Sequence, residues 1–384
     1  MKTYVVGGAV RDRLLGVPLD AISDRDHVVV GATVKEMLAA GFQPVGRDFP
    51  VFLHPVTHEE YALARTERKT APGYAGFVFH ADEEVTLEDD LARRDLTINA
   101  IAEDEATGAL IDPFGGVRDI EARVFRHVGP AFVEDPVRIL RVARFAARFT
   151  DFSLAAETLA LMRAMAESGE VDALVPERVW QEMARGLAAE RPSRMIEMLR
   201  SANALARIAP EIDALFTRAT NPHETDINDD AGSIALAALD RSAALSASLA
   251  VRFSALTFQI ECEALKTLCE RLVVPVACRD MALMASRELD RIEDASDAES
   301  RLAVFERCDA FRRPARIEEL LLVYRATRGD DESGIATKEA WMKSLARVRA
   351  VDAGAIAREQ TNDPARIVPA LRAARLAALG APPR

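Results

Sequence analysis

The sequence is short of the residues that staple or anchor a chain. Of its 384 residues only four are cysteine and six histidine, and aromatics make up 6%. All four cysteines (Cys262, Cys269, Cys278, Cys308) lie in the C-terminal half, and none forms a CxxC pair. That spacing argues against a zinc site and against a disulfide framework, and for free thiols in a reducing compartment. No run approaches the roughly 20 apolar residues of a membrane-spanning helix, and Met1–Gly8 holds no apolar stretch of signal-peptide length. The expectation is a cytoplasmic protein with no membrane contact. Basic residues are also in deficit, with 49 Lys and Arg against 61 Asp and Glu and a net charge of −12. Any affinity for a polyanion must therefore come from local arginine clusters. The length allows two or three domains, and 49% hydrophobic with 29% charged residues suits a globular protein.

What is present changes character along the chain. Tyr4-Val5-Val6 reads as a strand ending at Gly7-Gly8, and Val10 to Leu15 reads as a helix closed by Gly16 and Pro18. His27 to Val30 returns to strand pattern, Thr33 to Ala40 to helix, and Val51–His54 and Glu60–Ala64 to strand. Ala71–Phe77 is a loop by composition. From about Asp119 the texture is helical, with 3.6-period apolar faces over Pro136–Phe149, Ala156–Ala166, Pro176–Ala188 and Pro192–Asn203. Asn221–Asp230 reads as an exposed linker, followed by Ala- and Leu-rich helices.

Two features suggest chemistry. Gly7-Gly8, between strand and helix, lets backbone N–H groups approach a phosphate. Asp24 and Asp26, at the start of the next strand, project to one side, and paired carboxylates favour a hard divalent cation such as Mg²⁺. An isolated Asp-x-Asp is an ordinary polar turn. A glycine turn followed within 20 residues by this pair is what nucleotidyl transfer requires, with Glu60, opening a nearby strand, as candidate third ligand. Arg138, Arg141, Arg144 and Arg148 form a stripe on one helix, which alone is compatible with a plain amphipathic helix.

Six blocks in family order resemble class II tRNA nucleotidyltransferases of the polymerase-β superfamily, most of all the bacterial CCA-adding type. They are Val6–Asp12, Asp24-Arg25-Asp26, His58–Lys69, Leu91–Ala100, Ile111–Gly116 and Glu134–Phe145. The resemblance covers about the first 215 residues. It implies an α+β protein: a nucleotidyltransferase head with a small mixed sheet (1–122), a helical neck and body (123–220), and a helical C-terminal region (221–384). It implies magnesium-dependent addition of CCA to the 3′ end of tRNA from CTP and ATP. Asp24 and Asp26 would be catalytic and, with Glu60, metal-binding. Gly8, Arg11, Arg94, Asp95 and Asn99 would hold triphosphate and ribose, with Arg93-Arg94-Asp95 at a helix start. Asp135 and Arg138 would read the base edge, a protein template in place of a nucleic-acid one, and Arg141 and Arg144 would assist nucleotide binding. Ala71–Phe77 resembles the family's flexible catalytic loop.

Two departures stand out. Leu19–Ser23 is about three residues longer than the pattern, which bears on the register of Asp24 and Asp26 and makes Asp20 a weaker alternative ligand. Many relatives with this head carry an HD phosphohydrolase domain, whose metal site needs several histidines and a His-Asp pair. Here no histidine follows His223, so that site is expected to be absent. The alternatives left by the sequence are a poly(A) polymerase, a partial CC- or A-adding enzyme, and a catalytically inactive RNA-binding protein.

Overall fold

The computed structural model of the protein describes residues 1–22, 25–45, 51–69, 77–80, 84–217, 230–329, 332–360 and 363–380. The chain gathers into two units, Met1–Glu182 with Glu197–Ile208, and Met183–Ile196 with Ala209–Arg384.

The first unit opens with β1 (Lys2–Val6), α1 (Gly8–Leu14), β2 (Asp26–Val30), α2 (Val34–Ala39), β3 (Gln43–Val45), β4 (Val51–Leu53) and β5 (Glu60–Leu63). A hairpin of β6 (Thr66–Lys69) and β7 (Phe77–His80) follows, then α3 (Leu87–Ala92), β8 (Ala102–Asp104), β9 (Leu110–Ile111) and α4 (Gly116–Glu121). β10 (Val124–Phe125), α5 (Val137–Arg148), β11 (Ser153–Leu154), α6 (Ala156–Glu167) and α7 (Pro176–Leu187) complete the elements that bear on the site. Seven described strands form one mixed sheet in the order β3-β4-β5-β2-β1-β8-β9. β2 runs antiparallel to β1 and parallel to β5.

Period-2 alternation divides this sheet between two apolar layers. Tyr4, Val6, Val28 and Ala102 pack on one face with Leu91 of α3, while Val29, Phe52, Tyr61 and Leu63 pack on the other with Met37 of α2. α2 starts at a capping box, in which the Thr33 hydroxyl accepts from the Glu36 N–H and Glu36 accepts from the Thr33 N–H. α4 lies so close to the Thr97–Asn99 turn that a Cβ on Gly116 would sit 2.2 Å from the Thr97 carbonyl oxygen. Only glycine fits there.

The second unit is helical among its described residues. Ala231–Ala244, Leu249–Thr257, Val276–Asp294 and Pro314–Arg328 share extensive packing, and Glu332–Arg349 adds Trp341 to a core with Phe305, Leu320 and Val251. Asp230, Ser248 and Asp297 each cap a helix start through the side chain. No described helix is long and apolar enough to cross a membrane. The helical expectation over 136–149, 156–166, 176–188 and 192–203 matches helices at Val137–Arg148, Ala156–Glu167, Pro176–Leu187 and Ser193–Ser201. Asp24, most of the Ala71–Phe77 loop and the linker to Asp229 fall outside the described residues.

Candidate active site

β1 ends at Val6 and the chain turns at Gly7 into α1. Gly7 has φ +70°, a left-handed backbone that glycine adopts without strain. Its N–H donates to the Ile101 carbonyl oxygen at 3.2 Å, tying the turn to the sheet. Val6 is the register partner of Asp26 in β2, and Asp26 is in turn the register partner of Glu60 in β5. The glycine turn and two carboxylates therefore stand side by side on three neighbouring strands. Leu19–Ala21 forms a short turn ahead of β2, and Asp26 stands in the sheet opposite Val6 and Glu60.

These groups open into a cleft of about 700 Å³. Gly8, Arg11, Asp26, Glu60, Arg94, Asp95, Asn99, Asp135, Arg138, Arg141 and Arg144 all line it. The sheet supplies the carboxylates, the segment after α3 supplies Arg94, Asp95 and Asn99, and α5 supplies the arginine stripe. Arg93-Arg94-Asp95 was expected at a helix start. Instead Arg93 caps the C-terminal end of α3, and a single 3-10 turn, Thr97–Asn99, follows. The Thr86 capping box fixes where α3 begins, six residues earlier than the arginines suggest.

A buried polar chain runs across the floor. Asp95 is 5% exposed and accepts from Arg141 Nε at 2.7 Å, Asn99 Nδ2 at 2.9 Å and the Leu96 N–H at 2.8 Å. Burial opposes its charge, but Arg141, Asn99 and Arg138 outweigh burial and hold the carboxyl well below the usual carboxylate range. Asn99 Oδ1 accepts in turn from Arg11 Nη1 at 2.5 Å. Arg11 is only 4% exposed, donates from Nε to Asp12 at 2.8 Å, and lies over the rings of Phe145 and Phe149 at 5.2 and 5.1 Å.

The α5 arginines are held in place from several elements. Arg138 donates to the carbonyl oxygens of Ala131 and Arg93 at 2.7 and 2.5 Å. Arg144 donates to Glu182 at 2.5 Å, and Arg148 to Asp12 at 2.9 Å. Asp135 accepts from Arg178 of α7 at 2.9 Å and from the Val137 N–H at 3.1 Å. Asp12, Asp90, Arg178 and Glu182 were given no role from the sequence alone. Asp12 meets Arg148 across 136 positions, Arg178 meets Asp135 across 43 and Glu182 meets Arg144 across 38, whereas Asp90 pairs locally with Arg93 and Arg94 at helical i,i+3 and i,i+4 spacing.

Two exposed carboxylates at one register level, on adjacent strands and open to the cleft, are the oxygen donors that a divalent cation needs. Among the described residues no group of three His, Cys, Asp or Glu is gathered for a metal.

Comparison with known proteins first gives the class. The family described as poly A polymerase head domain matches residues 3–126, and that described as probable RNA and SrmB-binding site of polymerase A matches 151–216. The chain is 53% identical over 406 positions to the Multifunctional CCA protein of Azoarcus sp. (strain BH72), covering 99% of this chain and 97% of that one. It is 51% identical over 411 positions to the Multifunctional CCA protein of Paraburkholderia phymatum, with the same coverage. The Bacillus stearothermophilus CCA-adding enzyme in complex with CTP has a similar structure, with TM-score 0.67 at 25% identity over 98% of this chain and 88% of that one. The Thermotoga maritima CCA-adding enzyme complexed with tRNA shares the fold, with TM-score 0.68 at 20% identity over 100% and 88% of the two chains. The chain belongs to the CCA-adding family of class II tRNA nucleotidyltransferases. Nucleotidyltransferases of this family depend on a divalent metal ion.

Proposed function

We infer that this chain adds C, C and A in turn to the 3′ end of tRNA from CTP and ATP, releasing pyrophosphate at each step. The observation that carries the reading is the register Val6–Asp26–Glu60, which sets two carboxylates beside the glycine turn in an arginine-lined cleft. Two Mg²⁺ ions would be held by Asp24, Asp26 and Glu60, and would supply acidification of the attacking 3′ hydroxyl and neutralisation of charge on the departing pyrophosphate.

Gly8 and Arg94 hold the triphosphate through backbone N–H and guanidinium donors, and Arg11 braces that turn from below. Asp95 and Asn99 form the polar floor that receives the ribose. Asp135 presents acceptors and Arg138 donors to the base edge, so the protein stands in for a template strand. Both nitrogens of Arg138 that bond backbone carbonyls must be shared with or released to the base. Arg141 and Arg144, bound to Asp95 and Glu182, keep α5 at a fixed distance from the phosphates. Residues 1–122 act as the catalytic head, 123–220 as neck and body contacting nucleotide and tRNA, and 221–384 as a helical region without an HD phosphohydrolase site. tRNA is read by shape and phosphates, and the reaction takes place in the cytoplasm.

The test is to incubate purified protein with CTP, ATP, Mg²⁺ and a tRNA transcript lacking its terminal CCA, and to sequence the ends. Addition of C, C and A followed by a stop is expected. A long A tail, or addition of CC alone, would overturn the reading. Arg138→Ala is expected to raise misincorporation of the wrong base at least tenfold, more than it slows the first addition. Unchanged CTP and ATP selection would contradict the templating role.

A further inference from the structure

Asp90 plays no part in the site as described above, yet it lies fully buried at its edge. It belongs to α3, one turn before the paired arginines. Its Oδ1 accepts from Arg93 Nε at 3.1 Å and Nη2 at 2.7 Å, and its Oδ2 accepts from Arg94 Nη2 at 3.2 Å. The Arg65 N–H also approaches Oδ1, at 3.4 Å. Burial works against the charge of Asp90, but Arg94 and Arg93 outweigh it and hold the carboxyl below its ordinary value. A buried carboxylate with these partners is a rigid anchor, because moving it would leave an uncompensated charge without water.

Arg94 is thereby fixed from two sides. Nη1 donates to the Asn99 carbonyl oxygen at 3.4 Å, and the same nitrogen lies 2.7 Å from where a Cβ on Gly7 would stand. The guanidinium is packed directly against the glycine turn. Its Nε is buried without a hydrogen-bond partner among the described residues. The carbonyl of Arg93, the other arginine on Asp90, receives Arg138.

We propose that Asp90 is a positioning residue for the nucleotide's triphosphate: it aims Arg94 at the glycine turn and so sets phosphate affinity without touching the nucleotide. The inference rests on Arg94 being a phosphate clamp. An unanchored arginine has rotamer freedom to lose when it grips a phosphate, and Asp90 removes that cost in advance.

The test uses the whole chain, Mg²⁺ and inorganic triphosphate as probe, together with steady-state transfer to tRNA. Asp90→Asn is expected to weaken inorganic triphosphate about tenfold and to raise KM for CTP and ATP by a similar factor. kcat per folded molecule and the choice between C and A should stay unchanged. In an Arg94→Ala background, Asp90→Asn should weaken triphosphate no further, although it still lowers the melting temperature. Arg94→Lys keeps the positive charge but loses the fork, and should match the tenfold loss even if Asp90→Asn folds poorly. Triphosphate affinity within twofold of wild type in Asp90→Asn, or losses that simply add in the double variant, would overturn the proposal. If Arg94→Ala alone leaves triphosphate affinity intact, the clamp assignment fails and takes this inference with it.

Discussion

Asp95 carries its charge where there is little water, and that has a consequence for stability. Its folded-state carboxyl lies below the usual range, whereas in the unfolded chain it titrates near the ordinary value of about 3.9. A depressed carboxyl contributes stability above its unfolded pKa and loses it as pH falls toward the folded value. Asp95→Asn should therefore cost about 3 kcal/mol near neutrality, since it leaves Arg141 without its carboxylate. The gap to wild type should narrow by about 1 kcal/mol between pH 5 and pH 3. Urea denaturation at the two pH values measures this, and a pH-independent gap would show that Asp95 acts by packing alone. Residues of this kind divide sharply in how visible they are. Gly7, Gly8 and Asp26 announce themselves because chemistry and neighbours lie close in sequence. Arg178 and Glu182 do not, because an acidic or basic residue on an amphipathic helix looks the same whether it meets solvent or a distant charge, and Asp90 does not because its i,i+3 and i,i+4 pairs look the same whether solvated or buried.

At the scale of elements, β1, β2, β4 and β5 and the helices over 136–203 followed from apolar period, while β3 and β6 to β11, the helices α3 and α4, and several helix ends did not. The sequence rule looks for glycine just past the last turn. Five described helices end instead with Arg123, Asn203, Ser246, Val273 or Asp309 at that place, all with φ between 52° and 56°. At Val273 the cap is a full Schellman pair, with the Val274 N–H on the Cys269 carbonyl and the Val273 N–H on that of Glu270. A β-branched residue in the left-handed region is strained by about 1–2 kcal/mol. Val273 is also half exposed, so its side chain contributes little packing. Val273→Gly should stabilise the protein by about 1 kcal/mol, the strain relieved less the entropy glycine adds to the unfolded chain. Thermal or chemical denaturation checks it, and a destabilised variant would contradict the strain argument. The same blindness explains the Arg93-Arg94-Asp95 block. It was expected at the start of a short helix, but the Thr86 cap sets α3 upstream and only the turn Thr97–Asn99 follows.

For the whole molecule, a net charge of −12 coexists with a cleft lined, among the described residues, by nine arginines against five carboxylates. Global charge was a poor guide to the partner, and the stripe on α5 a better one, because affinity for phosphates is set by local density. The division into a sheet-bearing first part and a helical remainder was legible from the switch in apolar period. The way Met183–Ile196 groups with the C-terminal residues was not, since it depends on packing between distant helices. The second unit has no histidine after His223, and we predict that it does not hydrolyse phosphate esters. Incubation with 2′,3′-cyclic AMP and Mg²⁺, Mn²⁺ or Ni²⁺ should give no turnover above background. Release of nucleoside monophosphate at an enzymatic rate would require a metal site built from other ligands.

The central claim is that one cleft, built where β1, β2 and β5 meet α5, performs nucleotidyl transfer to tRNA. The most direct measurement sequences the ends of a tRNA transcript lacking CCA after incubation with CTP, ATP and Mg²⁺, using the intact chain beside Asp26→Ala. The intact chain should add C, C and A and stop; Asp26→Ala should add nothing, a loss of at least a thousandfold, while binding tRNA as before. Addition by Asp26→Ala at the rate of the intact chain would contradict the account.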